Sequence, residues 1–254
     1  MAEAGTAELT DVERAVWQAW EDSGKVELLG LTLPGALPFL REIIQRTAFH
    51  EAGHVVAAAY VATIDGHDIS VSLTPGGNLH GVWRSLTASS TYAMLRRGHI
   101  DAAGVPRDLL RHWVYGGTIH TMAGPYAGAK VTGDIEDAFS EFDEANTGNC
   151  LSCDSRSCDH ITVWQGLAVL YPNCGKRMLN MFDRAWRLTG ELLDKPEVWQ
   201  TVIRLAEQLL KVGTIADNDL LDALEPVLWK GIPWMKRVAP VNRKRPLAEG
   251  MAKL

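Results

Sequence analysis

The sequence predicts a mainly helical α+β protein, and three observations carry that expectation. Apolar residues recur at helical spacing in one segment after another, a single β-hairpin signal interrupts them between 68 and 86, and Gly and Pro mark the joints. The 254 residues are 46% hydrophobic and 22% charged, which supplies a sizeable core and excludes a disordered or collagen-like chain.

Each element has its own signal. Thr10-Asp11-Val12-Glu13 is a capping box, and Val12, Val16, Ala19 and Trp20 follow at helical spacing before Gly24, so a first helix is expected over about 10–24. Residues 30–38 (GLTLPGALP) read as a loop. A long helix is expected from about Pro38 to Tyr60, with Leu40, Ile43, Ile44, Thr47, His54, Val55 and Ala58 spaced for a buried face. Asp68 to Thr74 alternates and is rich in β-branched residues, Pro75-Gly76-Gly77-Asn78 turns the chain, and Leu79 to Leu86 returns. Further helices are expected near 106–130, 134–146, 160–171, 176–193, 196–211 and 217–229, with Pro196 at a favoured first-turn position and Gly213 at a stop. Residues 1–234 read as one domain, with its core at about 38–229 and a cysteine-rich insertion at about 147–160. Residues 235–254 read as a basic, flexible tail.

Charge and hydropathy narrow the function classes. The net charge is −6, but 235–254 carries six Lys or Arg against Glu249 alone, so the tail is +5 on a body of −11. An acidic body argues against nucleic acid as the main partner. No apolar run approaches the roughly 20 residues of a membrane span. The N-terminal MAEAGTAELTDVE lacks the basic-then-apolar order of a signal peptide, so a soluble, cytoplasmic protein without a membrane partner is expected. Gly24-Lys25 and Gly175-Lys176 lack the upstream glycine and the following Ser or Thr of a phosphate loop, so no ATPase module is expected.

The chemistry concentrates in FHEAGHVV. His50 and His54 stand at i, i+4 in the long helix, which projects both imidazoles from one face as two ligands of one ion. Glu51, one position on, can serve as general base and acid for a water activated by zinc, taking its proton and returning it to a leaving amine. The alternative is a helix that happens to carry two His and a Glu. Against it, the flanking Ala48, Phe49, Val55, Val56 and Ala57 imply a buried helix whose polar trio must be satisfied. Gly53 costs about 1 kcal/mol relative to Ala in a helix, which points to a close approach of backbone or ligand there. The hairpin that follows offers an edge for an extended peptide. On the residues alone, Asp134 is a helix cap after Thr132-Gly133, with Glu136 and Asp137 as rival carboxylates for a third ligand.

These segments together resemble the peptidase domain of the FtsH-type ATP-dependent zinc proteases. The likeness runs through TAFHEAGHVVAAAYV, ISVSLTPGGNLHGVWRS, TMAGPYAGAK with TGDIEDAFS, and VWQTVIRLAEQLLKVGTIADNDLLDAL, in the family's order over about residues 40 to 225. The resemblance implies a zincin-like fold, with the H-E-x-x-H helix beside a small sheet and a helical C-terminal half. It implies Zn2+ held by His50, His54 and Asp134, with Glu51 catalytic. Where the family is richer in Arg and Glu, this chain has Pro125, Tyr126, Gly128 and Lys130, and it carries neither the ATPase domain nor the membrane segment. The expected function is therefore a zinc-dependent endopeptidase acting on unfolded or flexible polypeptides, ATP-independent on its own. The alternative is a non-catalytic metal- or peptide-binding adaptor, or a peptidase subunit working with a separate ATPase partner. Either a homo-oligomer or such a partner is compatible with the sequence.

His80 lies on the strand matching the substrate-binding edge and is a candidate substrate contact, whereas His67, His99, His112, His120 and His160 read as surface or core residues. Cys150, Cys153 and Cys158 with His160 have the metal-like spacing C-x2-C-x4-C-x-H, and Cys174 follows. A structural zinc, a disulfide and free thiols all remain open. The nine Trp read as core.

Overall fold

Two long helices form the spine of the protein. In the computed structural model, which describes residues 9–61, 70–73, 82–84, 94–96, 98–144 and 158–228, α3 spans Leu33–Val61 and α4 spans Arg107–Thr132. They run antiparallel in close contact, His54 lying against the turn of His120 to Gly124 and His50 against Gly128. Close contact requires small residues. A Cβ added at Gly53 would stand 2.4 Å from the carbonyl oxygen of Ala123, so the approach expected from this glycine is made by the α4 backbone. Every residue from Glu51 to Val61 is buried, as befits a helix packed on all sides.

The remaining helices wrap this pair. α1 (Asp11–Asp22) has the capping box, Thr10 and Glu13 each bonding the other's backbone N–H, and buries Val12, Val16, Trp17 and Trp20. Arg41 of α3 donates from Nε to Glu13 at 2.6 Å and joins the two helices. The short α2 (Lys25–Leu28) leads to α3. α5 (Ile135–Glu144), α6 (Asp159–Leu170), α7 (Gly175–Leu193) and α8 (Pro196–Val212) follow close to their expected spans. In α8 the buried Val198, Thr201, Val202, Leu205, Ala206 and Leu209 trace one stripe that packs on α3. The chain closes through α9 (Asp217–Leu224) and a 3-10 turn at Glu225–Val227. One apolar core runs from Val12 to Val227.

A three-stranded antiparallel sheet lies beside α3, ordered β2-β1-β3. β1 (Ser70–Ser72) and β2 (Val82–Arg84) are the paired arms of the expected hairpin, with Val71 opposite Trp83; the turn at 75–78 and His80 lie outside the described residues. β3 (Thr214–Ala216) was not expected. It fits the three residues between Gly213, whose φ is +73°, and α9 and pairs with β1, Val71 opposite Ile215.

The structure also moves the start of α3. GLTLPGALP, expected as a loop, is helical from Leu33. Pro34 falls in the first turn, where a missing N–H costs nothing, and Pro38 removes one further bond. Burial of Ala36, Leu37 and Leu40 outweighs that loss, and Ala36 donates its N–H to the carbonyl of Thr32 at 2.9 Å. Among the described residues no helix is long and apolar enough to cross a membrane.

Candidate metal centre

The i, i+4 spacing brings His50 and His54 together as intended, with ring centroids 4.7 Å apart and Nε2 atoms 3.0 Å apart. The carboxylate that joins them is Asp159, the first residue of α6. Its Oδ2 lies 3.1 Å from Nε2 of His50 and 3.1 Å from Nε2 of His54. Three atoms able to ligate an ion thus form a nearly equilateral triangle. Ligands bound at about 2.0–2.2 Å around a tetrahedral ion stand roughly 3.3 Å apart, so the triangle needs only a slight expansion to fit.

The surroundings suit the same purpose. His54 is 8% exposed, and its Nδ1 lies 2.8 Å from the carbonyl oxygen of His120. A carbonyl only accepts, so Nδ1 carries the proton and Nε2 is the atom left with a lone pair in the neutral ring. A Cβ at Gly124 would stand 2.3 Å from Nε2 of His54, so the ring occupies space that only glycine leaves open. The triad is open on its other side, since the side chains of His50 and Asp159 are 30% and 31% exposed. Glu51 is buried at 5% exposure, on the same turn of α3 as His50.

Charge balance shapes the protonation of these groups. Burial opposes a charge on His54, but the Asp159 carboxylate, with lesser help from Glu51 and the His120 carbonyl, outweighs it and raises the ring to about 9. Asp159 is pushed up by burial but held well below the usual carboxylate range by the two histidines. Burial, then repulsion by His54, lowers His120 to about 4, so that ring is neutral. Burial likewise lowers His160, whose Nε2 lies 3.6 Å from Glu141 and whose ring meets Phe142 edge-on at 4.4 Å.

The structure does not bring Asp134 to the histidine pair. Asp134 is exposed between α4 and α5, and Glu136 and Asp137 are exposed on α5. The reason is length. His50 sits beside Gly128, and the six residues from there to Asp134 carry the chain roughly 9 Å farther along the helix axis. Asp159 was missed because the helix was expected to begin at 160, which left this acid inside the cysteine loop. An Asp at the first position of an apolar helix was the available signal, but Asp134 gave the same one.

The thiols divide. Cys158 and Cys174, both half-buried, immediately precede α6 and α7. The 12-residue α6, roughly 18 Å long, stands between them. Cys150 and Cys153 lie outside the described residues. Comparison of the chain with family models and with curated proteins finds no match in either.

Proposed function

We propose that the protein is a zinc-dependent peptide hydrolase in which His50, His54 and Asp159 hold the ion and Glu51 moves the proton. The observation that carries this reading is the convergence of three ligating atoms, mutually 3.0–3.1 Å apart, on the helix that also bears a buried Glu51. A zinc ion held there supplies Lewis acidity and an activated water. Glu51, next to His50 in a desolvated setting, would be the residue that takes up a proton and returns it to the leaving amine. The exposed sides of His50 and Asp159 leave an approach for substrate. Among the described residues β2 is an outer strand of the sheet, and such an edge fits an extended peptide, which favours flexible or unfolded chains over folded domains.

The test separates binding from chemistry. Glu51→Gln keeps the shape and removes the base, so zinc content should be unchanged while cleavage of an unfolded casein-type substrate falls at least about 10²-fold. Wild-type cleavage rates in this variant contradict the assignment of Glu51. A zinc-loaded wild type inert on every unfolded chain favours a binding role instead.

A further inference from the structure

We propose that the turn of α4 from His120 to Gly124 is a positioning element for His54, and that Gly124 acts through that imidazole rather than through helix packing. The inference deepens the metal reading and rests on it only for one of its two readouts.

Three observations point to this turn. The His120 carbonyl receives the Nδ1 proton of His54 at 2.8 Å, which directs Nε2 at His50 and Asp159. A Cβ on Gly124 would meet three atoms of the same ring, at 2.3 Å from Nε2, 2.5 Å from Cε1 and 2.6 Å from Cδ2. No other close glycine of this seam meets an imidazole ring: Gly53 faces the Ala123 carbonyl, and Gly128 faces the stem and backbone of Arg46, with only the Cβ of His50 at 3.6 Å. Gly124 also precedes Pro125 in the helix, where the proline ring crowds a Cβ on the residue before it, so a methyl group there carries a cost of its own that is the same with or without the His54 ring. Carbonyl and glycine act together, one anchoring the ring at Nδ1 and the other leaving room for its face. The imidazole then has one orientation before any ion arrives, which lowers the ordering cost of binding.

A double-mutant cycle tests the idea. Urea midpoints are measured for wild type, Gly124→Ala, His54→Ala and the double variant, and Co2+ binding is followed by its visible absorption in wild type and Gly124→Ala. Gly124→Ala should lower the midpoint strongly in the wild-type background and clearly less in the His54→Ala background, where only the cost of a Cβ before Pro125 is left. The two backgrounds differ because the three atoms nearest that methyl group all belong to the ring. Co2+ affinity should fall about ten- to a hundredfold in Gly124→Ala, with an altered absorption band. Should Gly124→Ala fail to fold, recovery of folding in the double variant supports the proposal. An equal loss of midpoint in both backgrounds, or unfolding of both variants, overturns it whatever the metal does. Failure of the wild type to bind Co2+ overturns the metal reading and leaves the difference between the two backgrounds to decide the role of Gly124.

Discussion

α5 and α6 enter the fold by the same device, an aspartate at the helix start, yet only α6 delivers its carboxylate to the histidine pair. Asp134 follows α4 directly, and the length of that helix carries it past the level of His50 into solvent. Asp159 begins a helix that packs back along α4 and reaches both Nε2 atoms at 3.1 Å. Local sequence makes a helix start. The register of the helix before it decides where that start lands. The candidate metal site therefore depends on a packing relation that neither Asp reveals by itself.

The largest expected effect that sharpens this contrast is at the histidine shared by both readings. His54→Ala removes a ligand under either carboxylate assignment, so zinc affinity should fall by more than about 10²-fold, measured by competition with a chromogenic chelator. Retention of zinc by this variant would place the ion elsewhere in the chain.

The next effect is on pH dependence, and it follows from Asp159 rather than Asp134 standing beside His54. Without metal, His54 titrates at about 9, above its ordinary value, so its proton stabilises the fold fully below about 6.5 and that contribution is lost as pH rises through 9. Zinc must displace this proton. Apparent affinity should climb roughly tenfold per pH unit from 7 and level off above about 9. Asp159, held low, stays ionised throughout and adds no slope in that range. In Asp159→Asn the His54 pKa should drop, and the rise in affinity should end at a lower pH. A profile unchanged by Asp159→Asn would remove the electrostatic coupling inferred here.

The smallest effect belongs to Asp134. It is exposed at the start of α5, so Asp134→Ala should lower stability by about 0.5–2 kcal/mol, the loss of a helix cap, with the urea midpoint shifted to match. Cleavage of an unfolded substrate should stay at the wild-type rate. A loss of activity without loss of fold would return Asp134 to the site.

Much of this architecture was legible from local signals. The Thr10–Glu13 capping box, the 3.6-residue stripe of α8 and the alternating arms of the hairpin each encode their element within a few residues. The i, i+4 histidines were legible for the same reason, since helix geometry alone brings them together. Non-local packing hid the rest. α3 begins at Leu33 because Ala36 and Leu37 find a core to bury in, which overrides two prolines. β3 exists because β1 has a second edge to pair. The His120 carbonyl joins the site as backbone, and no pattern of side chains announces a carbonyl.

The central claim is that Asp159, and not Asp134, completes the ligand set of His50 and His54. Elemental analysis of purified wild type, Asp159→Ala and Asp134→Ala, each dialysed against a weak chelator, tests it most directly. The account predicts one equivalent of zinc in wild type and Asp134→Ala and loss of that equivalent in Asp159→Ala. Zinc retained in Asp159→Ala and lost in Asp134→Ala would contradict it.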